Sequence, residues 1–237
     1  MRVSGITDKG IKRNNNEDYF LISDHAKVFV VADGMGGYKA GEIASEIASK
    51  AIIGTIEDRI ANGTFDFGYD IEEILMYASN EILAYVENNP DCRGMGTTVV
   101  VAHFKDNVLY IANVGDSRCY AITDDSVIQL TKDHSLVAEL VKIGSISAEE
   151  AEMHPDKNII TSALGVDSKF EIYKSSYDMD DYKYILICSD GLSNMVTTEE
   201  IHDIFKNHNF DEVSELLVKS ANKNGGKDNI TVVCIEL

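Results

Sequence analysis

The sequence predicts an α+β domain in which antiparallel sheets are covered by pairs of helices. Three observations carry this expectation. The apolar strand-like runs are short and bounded by turn residues. Two of them, around Val99-Val100-Val101 and Val108–Ala112, are separated by Lys105-Asp106-Asn107, which is hairpin spacing. Strands and helices also do not alternate regularly, as a doubly wound parallel fold would require.

Taken in order, strands are expected at Tyr19–Ser23 and Val28–Ala32, rich in Val, Ile, Phe and Tyr. A helix is expected over Gly41–Ile60, where Ile43, Ile47, Ala51 and Ile56 recur at helical spacing. A second follows over Ile71–Val86, with Ile74, Leu75, Ala78, Ile82 and Tyr85 on one face. Asp70 and Glu73 are placed there as a capping box. Strands resume at Thr98–Phe104, Val108–Val114 and Cys119–Ile122. Residues His134–Lys174 hold short helical pieces, including Ser147-Ala148-Glu149-Glu150, and are expected to form a small surface subdomain. A strand at Tyr184–Cys188, helices at Thr198–Lys206 and Asp211–Asn222, and a strand at Ile230–Ile235 complete the chain, with Gly225-Gly226 stopping the last helix.

The 237 residues suffice for one domain whose core buries roughly 70–75% of the unfolded surface. No Pro- or Ser-rich linker divides them, so a single domain over 1–237 is expected. The net charge of -19 repels nucleic-acid phosphates and anionic lipid. No signal peptide opens the chain, and no apolar run reaches the ~20 residues of a membrane span. Cys92, Cys119, Cys188 and Cys234 are widely spaced, three of them inside strand-like runs. They read as reduced core residues of a cytoplasmic protein, not as zinc ligands or disulfides. A monomer is the default.

Acidic residues gather at strand ends. Val28–Ala32 runs into Asp33-Gly34, Ile185–Ser189 into Asp190-Gly191, and Ile111–Gly115 into Asp116, while Asp228-Asn229 precedes Ile230. A lone Asp-Gly is usually a turn. Four such placements can converge on one edge of a shared core. Two carboxylates ~4 Å apart repel by about 4 kcal/mol at an effective dielectric of 20. They must be protonated, paired with Lys or Arg, or loaded with metal. Few cations adjoin these motifs apart from Arg118 and Lys227, which favours an oxygen-ligated divalent metal, Mg²⁺ or Mn²⁺. Gly34 is expected to let a backbone carbonyl approach an ion, and Gly36 with Gly37 to permit the bend that follows.

These motifs resemble the PP2C-type (PPM) protein phosphatases, especially the compact bacterial ones. The matching segments run in order along nearly the whole chain. Thr7-Asp8 with Gly10 and Arg13 with Asn16-Glu17-Asp18 come first, then Val31–Gly37 and Gly94–Thr98. Asn113–Arg118, Leu130-Thr131 with Asp133-His134-Ser135, Ser189–Leu192, and Gly226 with Asp228–Thr231 follow. The resemblance implies a four-layer αββα sandwich, two antiparallel sheets with a helix pair on each side and a small flap subdomain, roughly 134–174. It also implies roles. Asp33 should bridge two Mn²⁺ or Mg²⁺ ions, with the Gly34 carbonyl on the second. Asp190 and Asp228 should complete the first ion's shell. Glu17 and Asp18 should act through metal-bound water, Asp116 with Asp190 should hold a weaker third ion, and Arg13 should grip the substrate phosphate.

The implied reaction is hydrolysis of phosphoserine and phosphothreonine in proteins by a metal-bridging hydroxide, without a phosphoenzyme. The implied partners are phosphorylated proteins, with a cognate Ser/Thr kinase and its targets. Two departures stand out. Met35 occupies the position where many relatives carry a proton-donating histidine, which leaves metal-bound water or another group as the acid. His134 is a candidate for that part, although a structural loop histidine is its plainer reading. Ser162 stands where relatives often carry arginine. Two other readings stay open: an inactive phosphoprotein-binding module of the same fold, and a hydrolase of small phosphoesters.

Overall fold

The computed structural model describes residues 1–36, 40–166 and 168–237. Gly37, the second glycine of the expected bend, lies outside them. The described residues form two antiparallel sheets. One has the order β1 (Arg2–Asp8), β11 (Ile230–Glu236), β10 (Tyr184–Cys188), β7 (Arg118–Ile122), β8 (Val127–Gln129). The other runs β2 (Asp18–Ser23), β3 (Val28–Met35), β5 (Val99–Lys105), β6 (Val108–Val114), β9 (Tyr173–Asp178), with the short β4 (Gly96–Thr97) on β3.

The central strands are apolar on both faces, and the packing explains it. Val28, Val30, Val99, Val101, Ala112 and Val114 face helices α1 (Ala40–Ala61) and α2 (Phe67–Asn88), through Ile52, Ile56, Ile74 and Leu75. The alternating residues Phe29, Val31, Val100 and Ile111 meet Cys119, Ile185, Ile187 and Val233 of the other sheet. The outer face of that sheet, Tyr120, Leu186 and Val232, packs on α6 (Thr198–Asn207) and α7 (Phe210–Lys223) through Ile201, Phe205, Val213 and Leu217. Apolar burial on both sides of both sheets gives the four layers, αββα. Cys119, Cys188 and Cys234 are buried, and all four cysteines are free. Among the described residues no helix is long and apolar enough to cross a membrane.

Strands β1, β4, β8 and β9 lie where no strand was expected. β1 and β8 are sheet edges and β9 alternates half-buried with exposed polar residues, so none presents a continuous apolar run. The capping box expected at Asp70 and Glu73 is also corrected. Helix α2 starts one turn earlier, because Phe67 is buried beside His103 and Tyr110. Asp66 is the cap, accepting from the Tyr69 amide at 3.3 Å, and Asp70 accepts from the Asp66 amide at 2.8 Å. Glu73 instead pairs with Arg59. The β5–β6 hairpin is present, turning on Asp106 and Asn107 with φ of 51° and 64°. Both values suit a type I′ turn. Gly226, at φ 51°, ends α7 as expected, its amide bonded to the Ala221 carbonyl.

Between β8 and β9 lie α3 (Leu136–Lys142) and α4 (Ala148–Glu152), the latter closed by a capping box of Ser147 and Glu150. The expected subdomain range 134–174 takes in both helices and the first two residues of β9.

Candidate active site

The strand ends bring the expected carboxylates together. Asp18 and Asp33 face each other as partners across β2 and β3. Asp190 follows β10 at the start of the short helix α5 (Asp190–Ser193), and Asp228 precedes β11. One pair therefore comes from each sheet. Ser189 joins them: its hydroxyl donates to Asp18 Oδ2 at 2.6 Å and accepts from the Thr231 amide at 3.0 Å. Asp116 is delivered by the turn after β6.

Burial pushes the Asp33 carboxyl well above the usual range, and Asp18, Asp190, Asp116 and Asp228 add to it. Asp18 rises to about 7, first through burial and then through Asp190 and Asp228, against the opposing hydrogen bonds. Asp190 rises to about 6 through burial and Asp228, moderated by Arg13 and Arg118. Asp116 rises to about 8 through burial, Asp190 and Asp133. Arg118 does not pair with Asp116. Its guanidinium holds Asp133 at 2.6 Å and Tyr120 Oη at 3.1 Å.

Two oxygens of the cluster, Asp18 Oδ1 and Asp190 Oδ1, are buried without a hydrogen-bond partner. Such orphans are costly unless something positive meets them. Among the described residues no three His, Cys, Asp or Glu side chains close on one point as a finished cage. A divalent cation here would complete its shell with backbone carbonyls and water, as hard cations commonly do. The donor set, all oxygen with two unpartnered carboxylate atoms, fits Mg²⁺ or Mn²⁺.

Arg13, half-exposed at the rim, donates from Nη2 to Asp228 Oδ2 at 2.6 Å. Glu17 lies against Gly41 and Gly34, and its Oε1 accepts from Asn15. Gly34 must be glycine because a Cβ there would lie 2.0 Å from the Gly41 carbonyl oxygen and 2.5 Å from that of Glu17. Close packing of α1 on β3 thus requires it, whatever ion its own carbonyl meets. His134 is buried, its Nδ1 accepts from the Gly115 amide at 3.1 Å, and its backbone bonds Gly115 and Thr161. It is a structural loop histidine, with burial lowering its proton affinity. Ser162 is also structural: its hydroxyl bonds both the amide and the carbonyl of Glu171.

Some supporting residues were not singled out by sequence reasoning. Thr98 accepts from the Asp33 amide and bonds Ser117, and the Thr97 hydroxyl donates to the Asp33 carbonyl. Ser189 and Thr98 sit inside motifs already noted, but a hydroxyl beside an aspartate gives no sign of where it points. A cavity of about 110 Å³ lined by Lys183, Tyr184, His202 and Phe205 lies at the end of β10 away from Asp190, and has no part in the cluster.

The protein phosphatase 2C family profile matches residues 10–231. The chain belongs to the protein phosphatase 2C family. Serine/threonine phosphatase stp of Listeria innocua is 40% identical over 235 residues, covering 97% of this chain and 93% of that protein. Protein phosphatase PhpP of Streptococcus pneumoniae is 38% identical over 245 residues, covering 100% and 98%. The crystal structure of the Mycobacterium tuberculosis serine/threonine phosphatase PstP/Ppp superposes with a TM-score of 0.87 at 34% identity, covering 100% of this chain and 98% of that one. The catalytic domain of PstP in complex with two manganese ions gives 0.85 at 34% identity, covering 99% and 97%. This protein phosphatase 2C is therefore an enzyme, a hydrolase of phosphoric monoesters.

Proposed function

We propose that this serine/threonine phosphatase hydrolyses phosphoserine and phosphothreonine in proteins at a binuclear Mn²⁺ or Mg²⁺ centre on the Asp33 cluster. The observation that carries the proposal is the set of clustered carboxylates, Asp18 buried and Asp33, Asp116 and Asp190 half-buried, with two orphaned oxygens among them. Asp33 would be the ligand held in common, and the Gly34 carbonyl would meet the second ion. Asp190 and Asp228 complete the first ion's shell, Glu17 and Asp18 hold water, and Asp116 with Asp190 serves a third, weaker ion. Bound divalent cations lower the pKa of water and neutralise charge on phosphoryl oxygens.

The chain's own residues do the rest. Arg13 presents a guanidinium at the rim, where a substrate phosphate competes with Asp228 for it. Ser189 keeps Asp18 Oδ2 engaged, while Oδ1 is left without a partner. Cys119, Cys188 and Cys234 offer no thiolate nucleophile, since burial raises their thiols far above neutrality. Met35 donates no proton, so the leaving oxygen takes its proton from water or another group. The phosphatase is a single domain with a flap at roughly 134–174, a monomer, and cytoplasmic on the strength of its free cysteines. Its substrates are the targets of a cognate Ser/Thr kinase.

The test is phosphate release from a phosphothreonine peptide in Mn²⁺ and in EDTA. Turnover is expected with Mn²⁺ alone, and Asp190→Asn lowers it by at least about 10²-fold. No turnover with any divalent metal would favour an inactive binding module. Faster turnover of a sugar phosphate than of the peptide would favour a small-phosphoester hydrolase.

A further inference from the structure

In the Asp228-Asn229 pair only the aspartate has been given a part. We infer that the Asn229 side chain is the positioning residue that clasps the loop 9–17 and thereby sets Arg13 over the carboxylate cluster. This rests on the reading of Arg13 as the residue that grips phosphate.

The loop joins β1 to β2 with neither helix nor strand of its own, and its tip, Ile11 to Asn14, is exposed. An exposed segment of this kind is ordinarily mobile. Here it is tied at both ends to one side chain that is 5% exposed. Asn229 Nδ2 donates to the Lys9 carbonyl and to the Asn15 carbonyl, each at 2.9 Å. Its Oδ1 accepts from the Glu17 amide at 2.8 Å. The tip rests on the same stretch of chain, since the Ile11 and Lys12 amides both donate to the Gly226 carbonyl, at 2.9 and 3.0 Å. Arg13 then stands between two fixed points, its guanidinium 2.6 Å from Asp228.

The residue type follows from the task. Two donors and an acceptor are needed at one short reach. Aspartate has no donor, serine has one, and glutamine carries the amide one methylene too far. Asn229→Asp keeps the shape and turns a carboxylate oxygen toward two carbonyls.

The test uses the full chain. In EDTA, amide exchange over residues 9–17 is expected to quicken at least about tenfold in Asn229→Asp, the equivalent of one net hydrogen bond. In Mn²⁺, kcat/KM on a phosphothreonine peptide should fall by roughly 10²-fold, chiefly through KM, as misplaced binding groups produce. Adding Arg13→Ala to Asn229→Asp should cost far less than Arg13→Ala costs in the wild type, a non-additive cycle. Asp106→Val, which strains the hairpin at the far end of β5 and β6, is the control for lost stability and should leave both loop exchange and KM unchanged. Unchanged exchange in Asn229→Asp, additive energies, or the same kinetic loss in Asp106→Val would each overturn the inference. Should Arg13→Ala alone leave kcat and KM intact, the Arg13 reading falls, and the exchange rates by themselves decide whether Asn229 holds the loop.

Discussion

Asp18, Asp116 and Asp190 carry a thermodynamic cost that the fold accepts in order to keep them in place. Each has its pKa raised from 3.8, to about 7, about 8 and about 6 respectively, mainly by burial. Below the ordinary value both folded and unfolded chains hold these protons, and the groups contribute no difference. As pH rises, the unfolded chain releases them first. The folded chain then binds more protons, and stability falls with increasing pH up to about 8. His103 and His134, kept neutral by burial, act in the opposite sense below their ordinary value of 6.5. The carboxylate effect is therefore read above pH 6.5. In EDTA the melting temperature should decline between about pH 6.5 and 8, and excess Mn²⁺ should abolish that slope, because a ligand of the folded state alone stabilises it. A slope that is flat or positive in EDTA would contradict the burial of these carboxyls. Asp33, Asp116, Asp190 and Asp228 were legible in the sequence, since each adjoins an apolar run. The contact of Arg13 with Asp228 was not, because no local pattern joins residues at opposite ends of the chain.

Among the elements, the β5–β6 hairpin was the most legible, because its turn chemistry is local. Asp106 and Asn107 sit at positive φ, which short polar side chains tolerate. Asp106→Val should cost about 1–2 kcal/mol, the penalty for a branched residue in that region, and a urea titration would register it as a lower midpoint with unchanged slope. A change of less than a few tenths would mean the turn relaxes. Central strands such as Val108–Val114 and Tyr184–Cys188 were also legible, their bounds set by apolar runs with both faces buried. β1 and β9 were not. Residues such as Thr7, Lys174 and Asp178 meet water on one side, and their strand state comes from partners distant in sequence. The start of α2 was hidden for a similar reason. Phe67 extends the helix backward to fill a space beside His103 that only the folded sheet creates.

For the whole molecule, the charge of -19 sets the long-range field. Phosphate groups approach against it, and flanking cations ease that approach. A phosphothreonine peptide with flanking lysines should show a higher kcat/KM than one with flanking glutamates. The gap should close at about 1 M salt, where the Debye length is about 3 Å. A preference that ignores salt would place the discrimination in direct contacts instead. The sheet order also bears on how the enzyme comes into being. β11 lies between β1 and β10, and the segment that introduces it carries Asp228 and Asn229. During synthesis, β1 is made long before β11, the strand it pairs with. A nascent chain stopped before residue 228 lacks the strand that joins β1 to β10 and the clasp for its loop. Assembly of this phosphatase therefore closes late: the strand that joins β1 to β10, and the residues that hold Arg13, follow every other strand of both sheets along the chain.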